Sequence, residues 1–432
     1  MASESTEETG EVQKQIDGDP KRFGLSNING LYLDPRDPDQ AKIYVGRDDV
    51  QRQITDKIMG SSIPEGDPLR MVFFGNYGSG KTHSLYHFAQ LIKEKGIYGK
   101  KVHTVGDSVG LYVKISAPAK KTFSDVYKDI VSDSIGRAEL EEWIFAFMDK
   151  MVKKFSLRQR NVHEEDKIEK ITEFLKEETG YNVEELTRIV IERYKLDVNT
   201  PKTNTIWKWL SGHKCGPPEL KELGVNDDNT DPNIAMRNLI AIFKMFSVAY
   251  EDKVLVLMFD EMEQLAEYLS HNDLVSYEAA LRNLLDVRDI GLLFTQTGSM
   301  ATTNSLFNLD ALKTRIGQNT YTLEQLTAVG SGEGGDAISW FKEFLAAQRP
   351  PGDDWKKYVE EAKEAHEEGH NGGITEELFP FTEGAATQAI TNISQGDIGI
   401  TPRTVLNSFG KIMAISLSRD KERKIFDTAG FA

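Results

Sequence analysis

The segment Gly75-Asn-Tyr-Gly-Ser-Gly-Lys-Thr82 constrains this chain more strongly than any other part of the sequence. It matches the pattern G-x-x-x-x-G-K-[ST] at every position. An apolar run at residues 71–74 precedes it, and a segment with helical apolar spacing at residues 82–92 follows it. Between a strand and a helix, such glycines let backbone N–H groups close around phosphate oxygens at the helix N-terminus. The sequence therefore predicts a nucleotide phosphate site.

Two side chains of this loop have separate predicted roles. Lys81 is expected to reach the β- and γ-phosphates, and the Thr82 hydroxyl is expected to bind Mg²⁺. His83 and His87 are interpreted as residues of a helix face rather than as catalysts. The predicted ligands are ATP and Mg²⁺. The remaining predicted nucleotide-binding residues of this segment are Gly75, Asn76, Tyr77, Gly78, Ser79, Gly80 and His83.

The second informative segment is Val254-Leu-Val-Leu-Met-Phe-Asp-Glu261. A continuous apolar run that ends in two carboxylates is typical of a central parallel strand buried on both faces. Open α/β sheets bind ligands beyond the carboxyl ends of their strands, so Asp260 is expected to hold Mg²⁺ through water. Glu261 is expected to act as the base that polarises the attacking water. The alternative, that both carboxylates only cap a following helix, stays open.

Three later segments follow in the order found in AAA+ ATPases, and each resembles one part of that machinery. Gly291-Leu-Leu-Phe-Thr-Gln-Thr-Gly298 resembles the strand whose polar end senses the γ-phosphate, which by position is Thr297, or alternatively Gln296. The stretch Leu309-Asp-Ala-Leu-Lys-Thr-Arg-Ile316 resembles the segment with the trans-acting arginine finger, here Arg315. Residues 399–407 resemble the lid-helix motif whose arginine senses nucleotide in cis, here Arg403.

A further segment upstream completes the resemblance. Ile43-Tyr-Val-Gly-Arg-Asp-Asp-Val50 resembles the G-R-[DE] box near the adenine, which implies nucleotide contacts from Val45 and Arg47. Over most of residues 40–420 the chain resembles the initiator side of the AAA+ group, the Orc1/Cdc6-like and transposition-regulator ATPases. The stretch at residues 207–225, together with the phosphate loop and the Asp-Glu-Met-Glu sequence that ends at Glu263, resembles the ATP-binding proteins of BREX-type phage-defence loci.

This resemblance implies an architecture and a set of partners. The expected fold is an α/β P-loop AAA+ core with a parallel sheet, a large helical insertion and a small all-α lid domain. The expected partners are further copies of the chain in a ring or filament, duplex DNA, and other proteins of the same system. Orc1/Cdc6 proteins continue into a winged-helix DNA reader, whereas this chain ends soon after the lid motif, so an independent DNA-reading domain is not expected.

Composition and spacing predict the domain organisation. Lys81 and Asp260 are 179 positions apart, far more than one strand-helix-strand crossover needs, so an extra module is expected between them. Residues 168–175 and 183–190 show helical apolar spacing, which indicates that this module is helical. The predicted domains are an acidic flexible tail at 1–25, an ATPase core at 26–330 with a helical insertion at about 120–248, and a helical lid domain at 331–432.

Charge and hydropathy exclude several classes of protein. The net charge is −16, which argues against binding of nucleic acid by bulk attraction. No apolar run is long enough for a membrane span, no signal peptide is evident, and the lone Cys215 cannot form an internal disulfide, so a cytoplasmic protein is expected. Local basic clusters are interpreted as exposed helix faces, which in a ring could add up to a phosphate track. They are Lys100 with Lys101, Lys120 with Lys121, and the group Lys150, Lys153, Lys154, Arg158 and Arg160.

One motif is discounted, and two functions remain. His366-Glu-Glu-Gly-His370 matches the zinc-binding pattern H-E-x-x-H, but the glycines at and after Gly369 would end the helix that this pattern requires. The favoured function is an ATP-hydrolysing switch that oligomerises and couples its nucleotide state to DNA or to a partner protein. The alternative is a signalling or scaffold ATPase with slow turnover that acts through its helical insertion without direct DNA binding.

Overall fold

The computed structural model describes most of the chain between residues 20 and 427. The predicted zinc-like motif at His366 to His370 and most of the predicted acidic tail lie outside the described residues. So do Lys120, Lys121 and Arg160 of the predicted basic clusters. The described ranges are 20–26, 31–58, 68–97, 99–105, 108, 110–115, 122–158, 163–196, 200–288, 290–298, 306–328, 336–365, 373–396, 399–419 and 425–427.

Six strands form one sheet whose spatial order is β2-β4-β5-β1-β6, with β3 also paired to β4. The pairs β2 with β4, β3 with β4, and β4 with β5 are parallel. All but the first residue of β4 and all but the last of β5 are buried, as expected for central strands covered on both faces. The strands are β1 (Arg70–Gly75), β2 (Lys101–Val102), β3 (Leu111–Lys114), β4 (Lys253–Asp260), β5 (Ile290–Thr297) and β6 (Thr320–Leu323).

The rest of the described secondary structure is helical. A π-helix at Asp129–Ile135 directly follows α4, and two short 3₁₀ helices lie at Pro20–Phe23 and Leu306–Asn308. The α-helices are α1 (Pro38–Ala41), α2 (Asp48–Ile58), α3 (Lys81–Lys95), α4 (Phe123–Lys128), α5 (Arg137–Lys154), α6 (Glu164–Thr179), α7 (Glu184–Lys195), α8 (Pro201–Leu210), α9 (Pro217–Leu223), α10 (Pro232–Ala249), α11 (Glu263–Tyr268), α12 (His271–Leu285), α13 (Asp310–Ile316), α14 (Ala337–Ala347), α15 (Lys356–Ala365), α16 (Glu383–Ser394) and α17 (Pro402–Arg419).

The chain forms two compact units, and each unit is built from segments that are not consecutive in the sequence. The first unit comprises Met1–Arg52, Gly75–His87 and Thr322–Ala432, and the second comprises Gln53–Phe74 and Phe88–Tyr321. The phosphate loop therefore belongs to the first unit, and the Asp-Glu pair after β4 belongs to the second. The sequence-based division into a core at 26–330 and a lid at 331–432 stays a prediction.

The second unit has the larger hydrophobic core. Helices α4 to α10 lie between β3 and β4 in the sequence, and their apolar faces join the sheet in one buried cluster. Helix α10 is buried over most of its circumference, which is why its sequence is apolar almost throughout. Two buried polar groups of this core are paired with backbone carbonyls: the Tyr127 hydroxyl donates to the Leu210 carbonyl at 2.6 Å, and the Asn229 amide donates to the Trp209 carbonyl at 2.9 Å.

The first unit is organised around packed aromatic rings. Phe341 stacks on Phe409 with ring centroids 3.7 Å apart, and Phe381 meets Phe409 edge-on at 4.8 Å. These rings join α14 and α17 to the segment that precedes α16. The same core extends to Val45, whose carbonyl accepts a hydrogen bond from the Trp340 indole at 3.1 Å. The N-terminal segment and the C-terminal helices are thus parts of one packed body.

The α/β fold class that the sequence predicted, with a P-loop and a parallel central sheet, is confirmed by this topology. None of the helices in the described part of the chain combines the length and the apolar content that a membrane crossing requires.

Candidate nucleotide site

The phosphate loop connects the end of β1 to the start of α3 in the first unit. The Ser79 amide donates to the Asn76 carbonyl at 3.1 Å, which closes the loop into a turn. Gly78 and Gly80 have φ angles of 79° and 96°, a region that residues with a Cβ rarely adopt. The Lys81 ammonium donates to the Gly75 and Asn76 carbonyls at 3.0 and 3.1 Å. Lys81 therefore contacts two carbonyl groups of the loop in which it is predicted to bind phosphate.

Three features of this loop fit a phosphate group. Apart from Gly80 and its two chain neighbours, no heavy atom of the described chain lies within 4 Å of the position that a Cβ on Gly80 would occupy, so the loop has open space there. The Ser79 hydroxyl is buried and has no hydrogen-bond partner among the described residues. Helix α3 begins at Lys81, so its N-terminal N–H groups and its positive dipole end lie at the loop.

The segment around Arg47 packs against the loop within the same unit. One Arg47 nitrogen donates to the carbonyl oxygens of Ser79 at 2.9 Å and of Glu324 at 3.2 Å. Burial lowers the pKa of the Arg47 guanidinium. A Cβ on Gly46 would lie 2.3 Å from the Trp340 ring, so only glycine fits between Val45 and Arg47. The two residues predicted near the adenine are held by this packing.

The two histidines of α3 have structural partners in the first unit. A ring nitrogen of His83 lies 2.7 Å from the Ile43 carbonyl, and one of His87 lies 2.9 Å from the Ala41 carbonyl. The Tyr44 ring stacks on His87 with centroids 4.3 Å apart. Burial lowers the pKa of His83, and it lowers the pKa of His87 to about 4. His87 is therefore neutral at physiological pH.

The start of α17 also lies against the phosphate loop. The Arg403 amide donates to the Gly78 carbonyl at 3.3 Å, and the Arg403 guanidinium lies 4.7 Å from the centroid of the Tyr77 ring. A Cβ on Gly78 would lie 2.7 Å from the Thr401 hydroxyl. Tyr77 is 64% exposed although it is a large aromatic residue. The predicted sensing arginine is thus held beside the loop by a cation–π contact.

The second unit contains what we call the carboxylate cluster: Asp260, Glu261 and the side chains that contact them, Tyr112, Lys114 and Thr295. Asp260 is buried, and its Oδ2 accepts from the Tyr112 hydroxyl at 2.8 Å. Its Oδ1 accepts from the Thr295 hydroxyl, and from the Glu261 amide at 3.1 Å. Hydrogen-bond donors therefore satisfy both oxygens of this buried carboxylate.

Glu261 has an unusual backbone conformation. Its φ angle is 63°, in the left-handed region that a glutamate rarely adopts. Its amide also donates to the Thr295 hydroxyl at 3.0 Å, which helps to hold this conformation. The side chain is paired with Lys114, whose ammonium lies 3.1 Å from the Glu261 Oε1. Strained residues of this kind persist where the surrounding structure fixes them, often at functional positions.

At the end of β5, Thr297 contacts a third carboxylate. Its amide and hydroxyl donate to the Glu263 oxygens at 2.9 and 2.6 Å. The neighbouring Gln296, the alternative sensor, is buried. The structure thus places Thr297 in contact with the segment that follows Asp260, and its predicted role as a γ-phosphate sensor stays a prediction.

Arg315 lies on α13 in the second unit. Its guanidinium forms a two-pronged ion pair with Asp286, with nitrogen–oxygen distances of 2.7 and 3.0 Å. The hydrogen bond that Arg315 donates to Asp286 raises the pKa of the Arg315 guanidinium. A third guanidinium nitrogen donates to the Ala311 carbonyl at 3.0 Å. The predicted arginine finger is therefore held in position by its own chain.

The comparison with known protein families shows to which family this chain belongs. The family described as BREX system ATP-binding protein BrxC/D matches residues 35–330, which include the phosphate loop, the carboxylate cluster and Arg315. The chain belongs to this family. It is therefore an ATP-binding protein of the BREX type, and the predicted resemblance to that group is confirmed.

Two further comparisons complete this result. No curated protein matches the chain. Among solved structures, the chain is similar to the Aeropyrum pernix Orc1 protein in complex with DNA, with a TM-score of 0.41 and 9% identity over 94% of this chain and 68% of that chain.

Sequence reasoning missed three members of the carboxylate cluster in this BREX-type protein. Thr295 directly follows the apolar residues of β5, and the β4–β5 register pairs Phe259 with Phe294, so Thr295 lies beside Asp260. The β3–β4 register pairs Lys114 directly with Asp260. Knowledge of which strands flank β4 was therefore needed to find Tyr112, Lys114 and Thr295.

The carboxylate cluster also contains the residue that is predicted to hold Mg²⁺, Asp260. In the described parts of the chain, no three histidine, cysteine, aspartate or glutamate side chains come together as ligands of a cation. Mg²⁺ is commonly held by one or two carboxylates together with substrate phosphates and water, rather than by a full protein cage. A single buried carboxylate such as Asp260, whose position is fixed by hydrogen bonds to Tyr112 and Thr295, fits that mode of binding.

Proposed function

We propose that this chain hydrolyses ATP with Mg²⁺, and that its nucleotide state controls assembly with further copies and the engagement of duplex DNA or other proteins of a BREX phage-defence system. The observation that carries the proposal is the carboxylate cluster. Asp260 is buried and fully hydrogen-bonded, and the next residue is a glutamate in a strained backbone conformation held by Thr295. A protein that only binds nucleotide does not need this second carboxylate.

In the proposed mechanism, one set of residues holds the substrate. The loop amides and the Lys81 ammonium bind the phosphates, for which Lys81 exchanges its present contacts with the Gly75 and Asn76 carbonyls. The Thr82 hydroxyl and the Asp260 carboxylate hold Mg²⁺. When bound, this ion neutralises charge that develops on the phosphate oxygens. Val45 and Arg47 contact the base end of the nucleotide.

A further set of residues prepares the attacking water and senses the γ-phosphate. Glu261 orients the attacking water and accepts its proton. For this step, Glu261 uses a carboxylate oxygen that is not paired with Lys114. Thr295 fixes the backbone of Glu261 and one oxygen of Asp260, so the two carboxylates keep a constant relative position. Thr297 and Arg403 register the γ-phosphate, and their contacts report whether ATP or ADP is bound.

Arg315 connects hydrolysis to assembly in this proposal. Arg315 acts on the nucleotide that a neighbouring copy binds. A trans-acting arginine stabilises charge on that nucleotide which the residues of the neighbouring copy do not neutralise. A ring or filament of copies then hydrolyses ATP faster per subunit than separate copies do.

A specific observation favours the second candidate function, a scaffold ATPase with slow turnover that acts through its helical insertion. Asp286 already binds two nitrogens of Arg315 within the same chain. A guanidinium that stays in this pair cannot serve a neighbour. Under the scaffold hypothesis, turnover is slow and independent of protein concentration, and duplex DNA does not change it.

The test of hydrolysis compares wild type with Glu261→Gln by phosphate release and by binding of a fluorescent ATP analogue. We expect Glu261→Gln to keep its affinity within about threefold and to lose turnover by about 100-fold or more, since base catalysis contributes about 10²- to 10⁴-fold. The exposed Glu173 provides a matched control as Glu173→Gln. Normal turnover in Glu261→Gln excludes Glu261 as the base.

The test of assembly uses the ATP-trapped Glu261→Gln protein and light scattering with and without ATP and duplex DNA. Particles that form only with ATP and grow on DNA support the switch. A monomer in every condition supports the scaffold function instead. Arg315→Ala distinguishes the switch function from the scaffold function further. This substitution abolishes the dependence of turnover on protein concentration only if Arg315 acts in trans.

A further inference from the structure

A basic cavity lies in the second unit, lined by residues that are distant in sequence. Its volume is about 590 Å³, and five lysines line it: Lys100, Lys150, Lys153, Lys154 and Lys244. Three of them come from the C-terminal end of α5, one from α10, and one from the residue before β2. We call this feature the lysine groove. Its concentration of positive charge contrasts with the net charge of −16 of the whole chain.

The contacts within the lysine groove show that its charges act together. Two carboxylates also line it, and each is paired with a lysine: Glu251 with Lys150 and Glu178 with Lys244, both at 2.7 Å. A hydrogen bond from Lys150 and the charge of Lys100 both lower the pKa of Glu251. Lysines from separate segments therefore influence one and the same carboxylate, and five cations face two anions.

Helix ends explain only part of this arrangement. Lysines near a helix C-terminus are stabilised by the helix dipole, which accounts for Lys153 and Lys154 at the end of α5. The dipole does not account for Lys100, which lies outside any helix. The dipole explains why a lysine is favoured at position 154, but it does not explain why the Lys154 ammonium packs 4.1 Å from the centroid of the Phe174 ring.

The lysine positions continue beyond the groove along the edge of the sheet. Lys101 follows Lys100 in the chain and is paired with Lys253 in the β2–β4 register. The Lys101 side chain is exposed, and the Lys253 ammonium lies 4.8 Å from the Tyr250 ring centroid. Together with Lys101 and Lys253, this region of the chain carries more positive charge than a single small anion needs, which favours a polymer with repeated charges.

The type of cation indicates the chemistry of the ligand. Among the described residues that line the groove, every cation is a lysine, and arginine, whose planar fork matches a carboxylate, does not occur there. Lysine acts as a point charge and suits phosphate groups in many orientations. Lys153 and Lys154 lie three and four positions after Lys150 on α5, which places their Cβ atoms roughly 5–6 Å from that of Lys150. This spacing suits successive phosphates of a nucleic acid strand better than a compact carboxylate.

We propose that the lysine groove binds the phosphodiester backbone of nucleic acid without reading its sequence. The inference deepens the DNA coupling in the proposed function and rests on it for the biological partner. The ion pairs of Glu251 and Glu178 are partly exposed, so phosphate groups displace these carboxylates at small cost. Glu251 and Glu178 act as internal competitors that keep the affinity moderate.

The test measures binding of a fluorescent 30-base-pair duplex of arbitrary sequence to the full chain by anisotropy over a range of salt concentrations. We expect Lys153→Glu/Lys154→Glu to weaken binding by about tenfold or more near 0.1 M salt. The slope of log affinity against log salt should fall by about 2, because each lysine accounts for about 0.9 of a released counterion. The matched control is Lys214→Glu/Lys221→Glu, which changes the charge equally at exposed lysines outside the groove.

A second variant protects the test against misfolding. Glu251→Gln removes an internal competitor and should tighten duplex binding several-fold, an effect that loss of structure does not imitate. Equal weakening in the groove and control variants, or no gain in Glu251→Gln, overturns the proposal. Stronger competition by poly-glutamate than by unlabelled duplex overturns it as well, in favour of an acidic protein partner.

The outcomes separate this inference from the proposed function. If wild type binds duplex and the groove variant binds it equally well, the groove is wrong and the DNA coupling stands. If wild type binds no duplex with or without ATP, both the groove and the DNA coupling fail. If the groove variant loses DNA binding while neither protein hydrolyses ATP, the groove stands and the proposed hydrolysis fails.

Discussion

The phosphate loop and the carboxylate cluster are built in different ways. In the loop, Lys81 and the glycines come from consecutive residues, and most of their contacts are to backbone atoms. In the cluster, Asp260 and Glu261 contact side chains from two neighbouring strands, β3 and β5. The comparison teaches that the phosphate-binding part depends on local sequence, whereas the proposed hydrolytic part depends on how strands pair. Substitutions in the two regions should therefore have different signatures.

The largest expected effect is the loss of ATP binding in Lys81→Ala. Removing one partner of a charge-assisted contact costs about 3 to 5 kcal/mol, which weakens affinity by a hundredfold to several thousandfold. Titration with a fluorescent ATP analogue measures it. Lys93→Ala, at an exposed position on the same helix, is the control and should bind normally. Affinity of Lys81→Ala within threefold of wild type contradicts the assignment of the loop.

The second effect concerns the stability of the first region as the pH falls. The pKa of His87 is lowered from 6.5 to about 4 in the folded protein, so between these values the unfolded chain binds a proton that the folded chain does not. The free energy of unfolding should therefore decrease as the pH falls from about 6.5 to 4, by up to about 3 kcal/mol from this residue. Burial lowers the pKa of His83 too, which acts in the same direction.

Denaturant unfolding at several pH values measures this dependence. His87→Gln should reduce the decrease between pH 6.5 and 4, although it costs some stability at neutral pH. The exposed His163 serves as the control in His163→Asn, which should leave the pH profile unchanged. An unchanged profile in His87→Gln rejects the buried neutral histidine as its origin.

The third effect separates the two regions most directly. Thr295→Val keeps the shape of the side chain but removes the hydroxyl that contacts Asp260 and the Glu261 amide. We expect turnover to fall about 10- to 100-fold, as for other residues that orient a catalytic group, while ATP affinity stays within about threefold. Steady-state phosphate release and nucleotide titration measure the two quantities. Thr322→Val at an exposed strand position is the control, and a loss of affinity as large as the loss of turnover contradicts the separation.

The smallest effect tests the ion pair of the proposed base. Lys114→Met removes the contact with Glu261 and releases its carboxylate. Because partly exposed ion pairs contribute up to about 1 kcal/mol, basal turnover should rise by at most about fivefold. Lys170→Met, at an exposed position on α6, is the control. A fall in turnover means that Lys114 positions Glu261 rather than restraining it.

Much of the fold could be predicted because its signals are local. The apolar run before Gly75 and the pattern after it defined a strand, a loop and a helix, which the structure places at β1 and α3. The apolar run that ends at Asp260 was predicted as a buried central strand, and β4 is that strand. Such segments carry their own periodicity, so they are readable without knowledge of the rest of the chain.

The site was less predictable where contacts join distant segments. Sequence reasoning examined the polar residues at the end of β5 and chose Thr297, while Thr295, two positions earlier, is the residue that contacts Asp260. Tyr112 lies 148 positions from Asp260, and their hydrogen bond has no local signal. The roles assigned to Thr297, Arg315 and Arg403 stay predictions, and the ion pair of Arg315 with Asp286 was not foreseen.

The sequence by itself determined the phosphate loop, the buried strand with its two carboxylates, and membership in a family of ATP-binding proteins. Each of these depends on residues that are neighbours in the chain, where backbone geometry and side-chain periodicity leave few alternatives. Only the tertiary structure decided which side chains hold Asp260 and Glu261, and which lysines meet in one groove. Those arrangements depend on strand register and helix packing, which bring together residues up to about 150 positions apart.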